Sequence, residues 1–201
     1  MQIEPFSADN LDAVEKMVSA VWGSPEHRPE FDHAFCGHLA RYNYIAPELS
    51  FQIVDEGGIQ GVCWAHAPGR ANDADAWLET AVKGLTEQER EETLAHVDYL
   101  KSIDAVVCKR MGPKDVQISF LISQKRGCGA ALLKHVMKVL SERGFENVFL
   151  WTDSSCNWQF YPKHGFESVH EERSDLYSTP GEDFMYMVYR KCLKQTMKEG
   201  R

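Results

Sequence analysis

Two hydrophobic periods alternate along the chain, and the switches between them mark its elements. "MQIEPF" mixes apolar and polar positions in the short rhythm of a strand. Leu11, Val14, Met17, Val18 and Val21 then recur at three- and four-residue intervals, the stripe of an amphipathic helix, with Asp9 or Asn10 placed to cap it. After the turn-rich "SPEHRPE" a second helix is expected from about Glu30 to Tyr42. "LSFQIVDEGGIQGVCWAHA" carries β-rich runs on either side of Glu56-Gly57-Gly58, the signature of a hairpin. From about Pro68 to Lys114 the rhythm becomes helical. "DADAWLETAVKGL" and "TEQEREETLAHVDYLKSIDAVVCKRM" predict two helices, the second opened by the capping-box pattern Thr86-x-x-Glu89. Leu94, Val97, Leu100 and Ile103 or Asp104 fall on its packing face.

"DVQISFLIS" predicts a strand, and a helix follows from Gly127 to Arg143 with Leu133, Val136 or Met137, and Leu140 on one side. Gly144 stops it in a left-handed cap. "NVFLWTD" is a further buried strand, "CNWQFYPKHGF" a short helix ending at Gly165, and "FESVHEER" and "FMYMVYRK" two closing strands. The order is therefore β-α-α-β-β, a helical insert, then β-α-β-α-β-β. That order indicates an α+β domain with a mixed sheet rather than a uniformly alternating one.

Composition narrows the class. With 201 residues and 43% hydrophobic content, the chain reads as one domain over residues 1–194, including an insert at 68–114, with a frayed tail at 195–201. No apolar run approaches the roughly 20 residues of a membrane span, and the N-terminus lacks a signal layout. The six cysteines are scattered without a C-x-x-C, so a reduced, cytoplasmic protein without zinc is expected. A net charge of −8 argues against nucleic acid as a partner. Edge strands and the C-terminal hairpin would support a homodimer, and nothing in the sequence requires one.

The candidate chemistry begins at Ser123, in "SQKRGCGAALL", where a strand hands over to a helix. A helix N-terminus leaves N–H groups unpaired and carries partial positive charge, and glycines at 127 and 129 let an anion approach without a Cβ in the way. Five cations (Lys125, Arg126, Lys134, Lys138, Arg143) stand against Glu142 over residues 124–143. A glycine-bearing turn with solvated lysines is the competing reading. The dinucleotide fingerprint is excluded by Leu132, and no Gly-Lys-Ser/Thr exists for a nucleoside-triphosphate loop.

Gln124-x-x-Gly127-x-Gly129 resembles the pyrophosphate loop of the GNAT superfamily of acyl-CoA-dependent N-acetyltransferases, and "CNWQFYPKHGF" resembles the same family's later Asn…Phe-Tyr-x-Lys-x-Gly-Phe segment. The resemblance covers most of the chain, leaving about Pro68 to Lys114 outside. It implies a mostly antiparallel sheet whose two parallel strands splay apart, with acetyl-CoA in the gap and an amine acceptor beside it. The main chain from about Phe120 through Leu121, Ile122 and Ser123 would bind the pantetheine arm. Gln124, Lys125, Arg126, Gly127, Cys128, Gly129 and Ala130 would hold the pyrophosphate, with Asn157, Phe160 and Lys163 as further cofactor contacts. Tyr161 would protonate the departing CoA thiolate, and an N–H near Leu121 or Ile122 would polarise the thioester carbonyl. An ordinary packed aromatic is the plain alternative for Tyr161.

The strand before the loop lacks an acid, so the base stays open among Asp153, Glu172, Asp175, His66 and a water chain. Cys128 reads as a small packing residue, Trp22, Trp64, Trp77 and Trp151 as core aromatics, and Trp158 as a partly exposed ring near ligand. The insert carries nine acids against three bases over residues 72–104. Such a face either attracts a cationic, small-molecule or peptide amine or, more simply, is the solvated side of amphipathic helices. A CoA-sensing module without turnover and a different nucleotide-binding protein are the competing functional readings.

Overall fold

The computed structural model describes residues 1–193, so the expected frayed tail lies outside the described residues. Seven strands, β1 (Gln2–Pro5), β2 (Ser50–Asp55), β3 (Gly58–His66), β4 (Asp115–Ser123), β5 (Asn147–Asp153), β6 (Glu167–Arg173) and β7 (Met185–Cys192), form one sheet in the order β1-β2-β3-β4-β5-β7-β6. Every adjacent pair is antiparallel except β4 and β5. Helices α1 (Leu11–Trp22) and α2 (Pro29–Asn43) precede the first hairpin. Helices α3 (Ala74–Ala81) and α4 (Glu87–Cys108) form the insert between the third and fourth strands. Helix α5 (Cys128–Glu142) follows β4, and the single turn α6 (Phe160–Lys163) follows β5. Among the described residues no helix is long and apolar enough to cross a membrane.

Local chemistry explains most boundaries. The capping box of α4 is fully made: the Glu89 N–H donates to Thr86 Oγ1 and the Thr86 N–H to Glu89 Oε2. Gly144 and Gly165 end α5 and α6 at φ values of 83° and 78°, where a Cβ would be strained. At the start of α1, Asn10 occupies the N-cap position as expected but makes no side-chain cap bond. Ser7 caps a 3-10 turn over Ala8–Asn10 that leads into the helix, while Asn10 spends its amide on Gln52. Val21, assigned to the buried stripe, is 59% exposed.

The sheet has a core on each face. Leu132, Leu133, Val136 and Leu140 of α5 pack on Cys63, Ala65, Val116, Ile118, Val148 and Leu150. On the other face, α1 and α2 bury Val14, Met17, Val18, Cys36 and Leu39 against Val62, Trp64, Phe120 and Ile122. Helix α4 extends that second layer over β5 and β7 through Ile103 and Val107 against Phe149 and Val188. Its acids Glu87, Glu91, Glu92 and Asp98 are exposed, as expected for a solvated face. Leu94, placed on the packing face by spacing, is 45% exposed instead.

Strand β4 changes face midway. Val116 and Ile118 point to the α5 core, whereas Phe120 and Ile122, of the same parity, point to the α1/α2 core. The cause is a bulge: Trp64 pairs with Phe120 and Ala65 with Ile118, leaving Ser119 without a counterpart. Ser119 Oγ donates to the Asn43 carbonyl at 2.7 Å, which anchors the extra residue to the end of α2. Beside the bulge the parallel pairing also ends. β4 and β5 are paired only over Asp115–Asn147, Val116–Val148 and Gln117–Phe149. Beyond that point β4 stays bonded to β3 and β5 to β7, and the two part company.

Truncating Leu100, which is 1% exposed where α4 meets the α1/α2 core, should cost about 3 kcal/mol, while Leu94→Ala stays within about 0.5 kcal/mol. Urea denaturation of the two variants checks this, and equal losses would contradict the placement of α4.

Candidate active site

The gap between the parted strands opens onto two cavities with a common wall. The larger, about 670 Å³, is lined by β4 and its following loop over 121–127, Gly129 and Ala130, by Asn157, Phe160 and Tyr161, and by Val21 and Trp22 at the end of α1. The expected loop residues other than Cys128 therefore converge on one cleft, and Asn157 and Phe160 face them across it.

Each loop glycine has its own reason. Gly127 sits at φ 88° with nothing within 4 Å of where a Cβ would lie, so it is needed for its left-handed backbone and leaves the cleft open. Gly129 brings the helix against Ser123, whose Oγ would lie 3.1 Å from an added Cβ. The ladder of α5 begins with the Ala131 N–H donating to Gly127, so the amides of Gly129 and Ala130 have no helical acceptor. The Cys128 amide differs: it donates to the Lys125 carbonyl at 3.1 Å. Its side chain is fully buried in the α5 core, 3.6 Å from Met1 Sδ, as a packing residue should be.

The two loop cations are not equivalent. Lys125 pairs with Asp55 at 2.9 Å. That hydrogen bond, with one from the Gly57 amide, holds the Asp55 carboxyl below its ordinary range and raises Lys125 above its own. Arg126 is exposed and, among the described residues, makes no ion pair. The Gln124 amide donates to the Gln60 carbonyl, tying the loop to the first hairpin.

Tyr161 stands in the wall that the two cavities share, with Trp22, Leu121, Thr152, Ser155 and Cys156. Its ring is fixed by Phe160, Phe166 and Tyr189, at centroid distances of 5.4, 5.9 and 5.8 Å. Burial, reinforced by neighbouring Cys156, Cys63 and Asp153, pushes its phenol well above the ordinary value, so it stays protonated across the physiological range. Cys156 is raised to about 11, first by burial and then by Asp153. Its thiolate is therefore scarce near neutral pH, which makes it a poor nucleophile.

The second cavity, about 250 Å³, lies on the α1/α2/α4 side of the gap. Asp153 faces it from the end of β5, its Oδ1 accepting from the Ser155 amide at 2.9 Å and the Ser155 hydroxyl at 2.5 Å. Phe35 of α2, His96 and Tyr99 of α4, Trp151 of β5, and Tyr177 and Phe184 before β7 supply an aromatic lining. Trp151 is held by its Nε1–H donating to Asp104 at 2.8 Å, on the same oxygen that accepts from Gln117. Burial, with a smaller effect of His38, lowers His96 to about 4, so it is neutral at physiological pH.

Other expected residues lie elsewhere. Lys163 is exposed on α6 and lines neither cavity. Glu172 accepts from Tyr186 on the outer hairpin, and Asp175 pairs with Arg173, both away from the gap. His66 faces a separate cavity of about 380 Å³. Trp64 is fully buried, but Trp22 and Trp151 are half-buried cavity walls rather than core. Trp77 is half-buried under the Arg41 guanidinium, 4.1 Å from its ring, and Trp158 packs beside the α5 core without lining either cavity. Sequence reasoning missed Phe35, His96, Tyr99, Tyr177 and Phe184. The only signal was aromatic residues recurring in "AHVDYL" and "DLYSTPGEDF", segments with no shared motif.

No protein-family model and no curated protein matches the chain. Solved structures do. The chain is similar to the ribosomal-protein-S18-alanine N-acetyltransferase from Escherichia coli at 14% identity, covering 100% of this chain and 98% of that one, with a TM-score of 0.56. The aminoglycoside 6'-N-acetyltransferase from Enterococcus faecium aligns at 15% identity over 96% and 98%, with a TM-score of 0.54. The C-terminal condensation domain of Ebony in complex with beta-alanyl-dopamine aligns at 12% identity over 95% and 98%, with a TM-score of 0.65. The chain has the fold of the GNAT N-acetyltransferases.

Two measurements follow from this geometry. Gly127→Ala should destabilise the protein by about 1–3 kcal/mol through its φ alone, readable in urea unfolding. For His96, whose folded value lies below the 6.5 of an exposed imidazole, the unfolded chain takes up the proton first as pH falls. Its contribution is thus fully present above about pH 6.5 and is lost as pH falls toward 4, by something of the order of 3 kcal/mol. Thermal melts across that range should therefore fall more steeply for wild type than for His96→Phe, and parallel curves would contradict the burial argument.

Proposed function

We propose that this protein is an acyl-CoA-dependent N-acetyltransferase that moves an acetyl group from acetyl-CoA to a primary amine by direct attack. The observation that carries the reading is the position of Tyr161, in the one stretch of wall common to a cleft fit for a diphosphate and a cavity fit for an amine-bearing molecule.

The residues present fit coenzyme A. Open space at Gly127, the unclaimed amides of Gly129 and Ala130, and the unpaired guanidinium of Arg126 make a cradle for a diphosphate. The edge of β4 beyond Gln117, left without pairing to β5, suits the amides of an extended pantetheine arm, which would lie there like an added strand along Leu121 to Ser123. Gln124, Asn157 and Phe160 complete the walls, and Lys125 contributes its charge in part, since Asp55 already claims it. When bound, acetyl-CoA supplies the activated acyl group.

The chain's own residues then do three things. An amide near Leu121 or Ile122 polarises the carbonyl. Asp153, or water beside it, receives the proton that the bound ammonium must lose before its nitrogen can attack. Tyr161, held neutral by desolvation, gives its phenolic proton to the sulfur as the C–S bond breaks. The second proton, which the nitrogen sheds once the C–N bond has formed, restores the phenol directly or through water. The protein names among its fold neighbours include acetylation of a protein alanine and of an aminoglycoside, so amine acceptors of very different size are compatible with this fold.

Tyr161→Phe should lower kcat by about 10²–10⁴-fold in an assay of thiol release from acetyl-CoA with an amine, while thermal stabilisation by coenzyme A persists. For the wild type, coenzyme A at about 100 times its dissociation constant should add about 2.7 kcal/mol of stability. Absence of any stabilisation at saturating coenzyme A would overturn the reading.

A further inference from the structure

A third cavity, of about 380 Å³ and half open to solvent, lies outside the gap between β4 and β5. Among the described residues it shares no wall with either of the cavities there. We infer that it is a second ligand site, suited to a small free amino acid held with its ammonium against the sheet and its carboxylate at the solvent side. The inference goes beyond the transferase reading and does not depend on it.

The floor is the first argument. His66, at the end of β3, pairs with Gln117, near the start of β4, so their side chains stand side by side on one face of the sheet. They are only 9% and 2% exposed, and both line the cavity. His66 Nδ1 lies 3.0 Å from the Ala67 carbonyl, which can only accept, so Nδ1 carries the proton and Nε2 presents a lone pair. Burial above all holds this imidazole below its ordinary value and keeps it neutral at physiological pH. Gln117 gives its Nε2–H to Asp104 Oδ1 at 2.7 Å, which leaves its Oε1 as an acceptor. Asp104 Oδ2 accepts from the Tyr42 hydroxyl at 2.7 Å and has a lone pair for one donor more. Among the described residues neither His66 Nε2 nor Gln117 Oε1 has a hydrogen-bond partner, and neither is sealed from solvent as His96 Nε2 is. Three acceptors in one wall, one of them a carboxylate, match the three N–H donors of a primary ammonium.

Charge is the second argument. Arg70 pairs with Glu48, and Lys101 with Asp75 at 2.6 Å; both cations are about half exposed and keep further N–H donors beyond those pairs. Across the lining, these two cations stand against two acids, Asp75 and Asp104. A neutral ligand with separated charges answers that balance, its carboxylate meeting the exposed cations. A simple amine or a polyamine would set its own charge against them. Size and polarity are the third. Ile45, Pro68, Ala105 and Met111 add apolar wall, and 380 Å³ is near the lower end of the roughly 300–1,000 Å³ of small-molecule sites. An amino acid with an aliphatic side chain fills such a space.

Isothermal titration of the full chain tests this with three probes, with and without coenzyme A: L-leucine, L-leucinamide, which lacks the carboxylate, and 4-methylpentanoate, which lacks the ammonium. Leucine should bind with a dissociation constant of about 1 mM or lower, and each of the other two at least about tenfold more weakly. Gln117→Leu removes an acceptor from the floor at similar bulk, and Lys101→Gln removes a cation from the solvent side. Each should weaken leucine by about fivefold or more, with a thermal melt to show that the variant is folded. The exposed Lys101 position keeps the test decisive if the buried substitution does not fold. Four results overturn the inference: no leucine binding up to about 10 mM, an equal affinity for either truncated probe, an affinity unchanged in the folded variants, or mutual exclusion of leucine and coenzyme A. Leucine binding by a protein that coenzyme A does not stabilise upholds the inference and overturns the transferase reading.

Discussion

The organising constraint is the early end of pairing between β4 and β5. A parallel ladder that stops after three residue pairs leaves two backbone edges facing each other without partners, and unpaired N–H and C=O groups must be met by water or by a ligand. The gap persists because each strand is committed elsewhere: β4 to β3 from Gln117 to Ser123 and β5 to β7 along all of its own length. Neither can swing across to close it without breaking an antiparallel ladder. The bulge at Ser119 supports the same outcome, since it bends β4 where the pairing ends and is itself tethered to the end of α2.

From that opening the division of labour follows. Elements of the sheet and the helices directly after β4 and β5 build the wide, amide-lined cleft, while α2, α4 and the segment before β7 build the small aromatic cavity. Asp104 joins the two halves of the latter. It lies on the insert helix yet holds Trp151 of β5 and Gln117 of β4, so the insert is bolted to the sheet by a half-buried carboxylate as well as by apolar packing. The acidic composition of residues 72–104, which alone suggested an electrostatic role, turns out to be mostly solvent-facing; what the insert brings to the site is His96, Tyr99 and Leu100.

Legibility in the sequence depended on whether a residue's identity encodes its geometry. Gly127 and Gly144 did, because only glycine accepts their left-handed backbone at no cost, and Thr86 with Glu89 did, because their side chains close a local ring of hydrogen bonds. The run Ile118-Ser-Phe-Leu-Ile122 did not: apolar at nearly every position, it looks the same with or without a bulge, so the change of face stayed hidden. The strand parting was reachable only through family resemblance. Trp22 and Trp151 read as core because a half-buried cavity wall and a buried core draw on the same residue type. His96 and Tyr177 meet across 81 positions of chain, a pairing that no local pattern announces. Asn10 holds the cap position of α1 without a side-chain cap bond because a 3-10 turn, itself capped by Ser7, leads into the helix.

The tie between Asp104 and Trp151 has an evolutionary corollary. Because the two-helix insert gives the aromatic wall only His96 and Tyr99, the other rings coming from α2, β5 and the segment before β7, its residues can drift or be exchanged while the wide cleft is left undisturbed. Only the carboxylate that clasps the indole must travel with the cassette. A lineage built this way can reshape one side of the small cavity while the larger one keeps its form, much as an interchangeable nozzle serves a fixed pump.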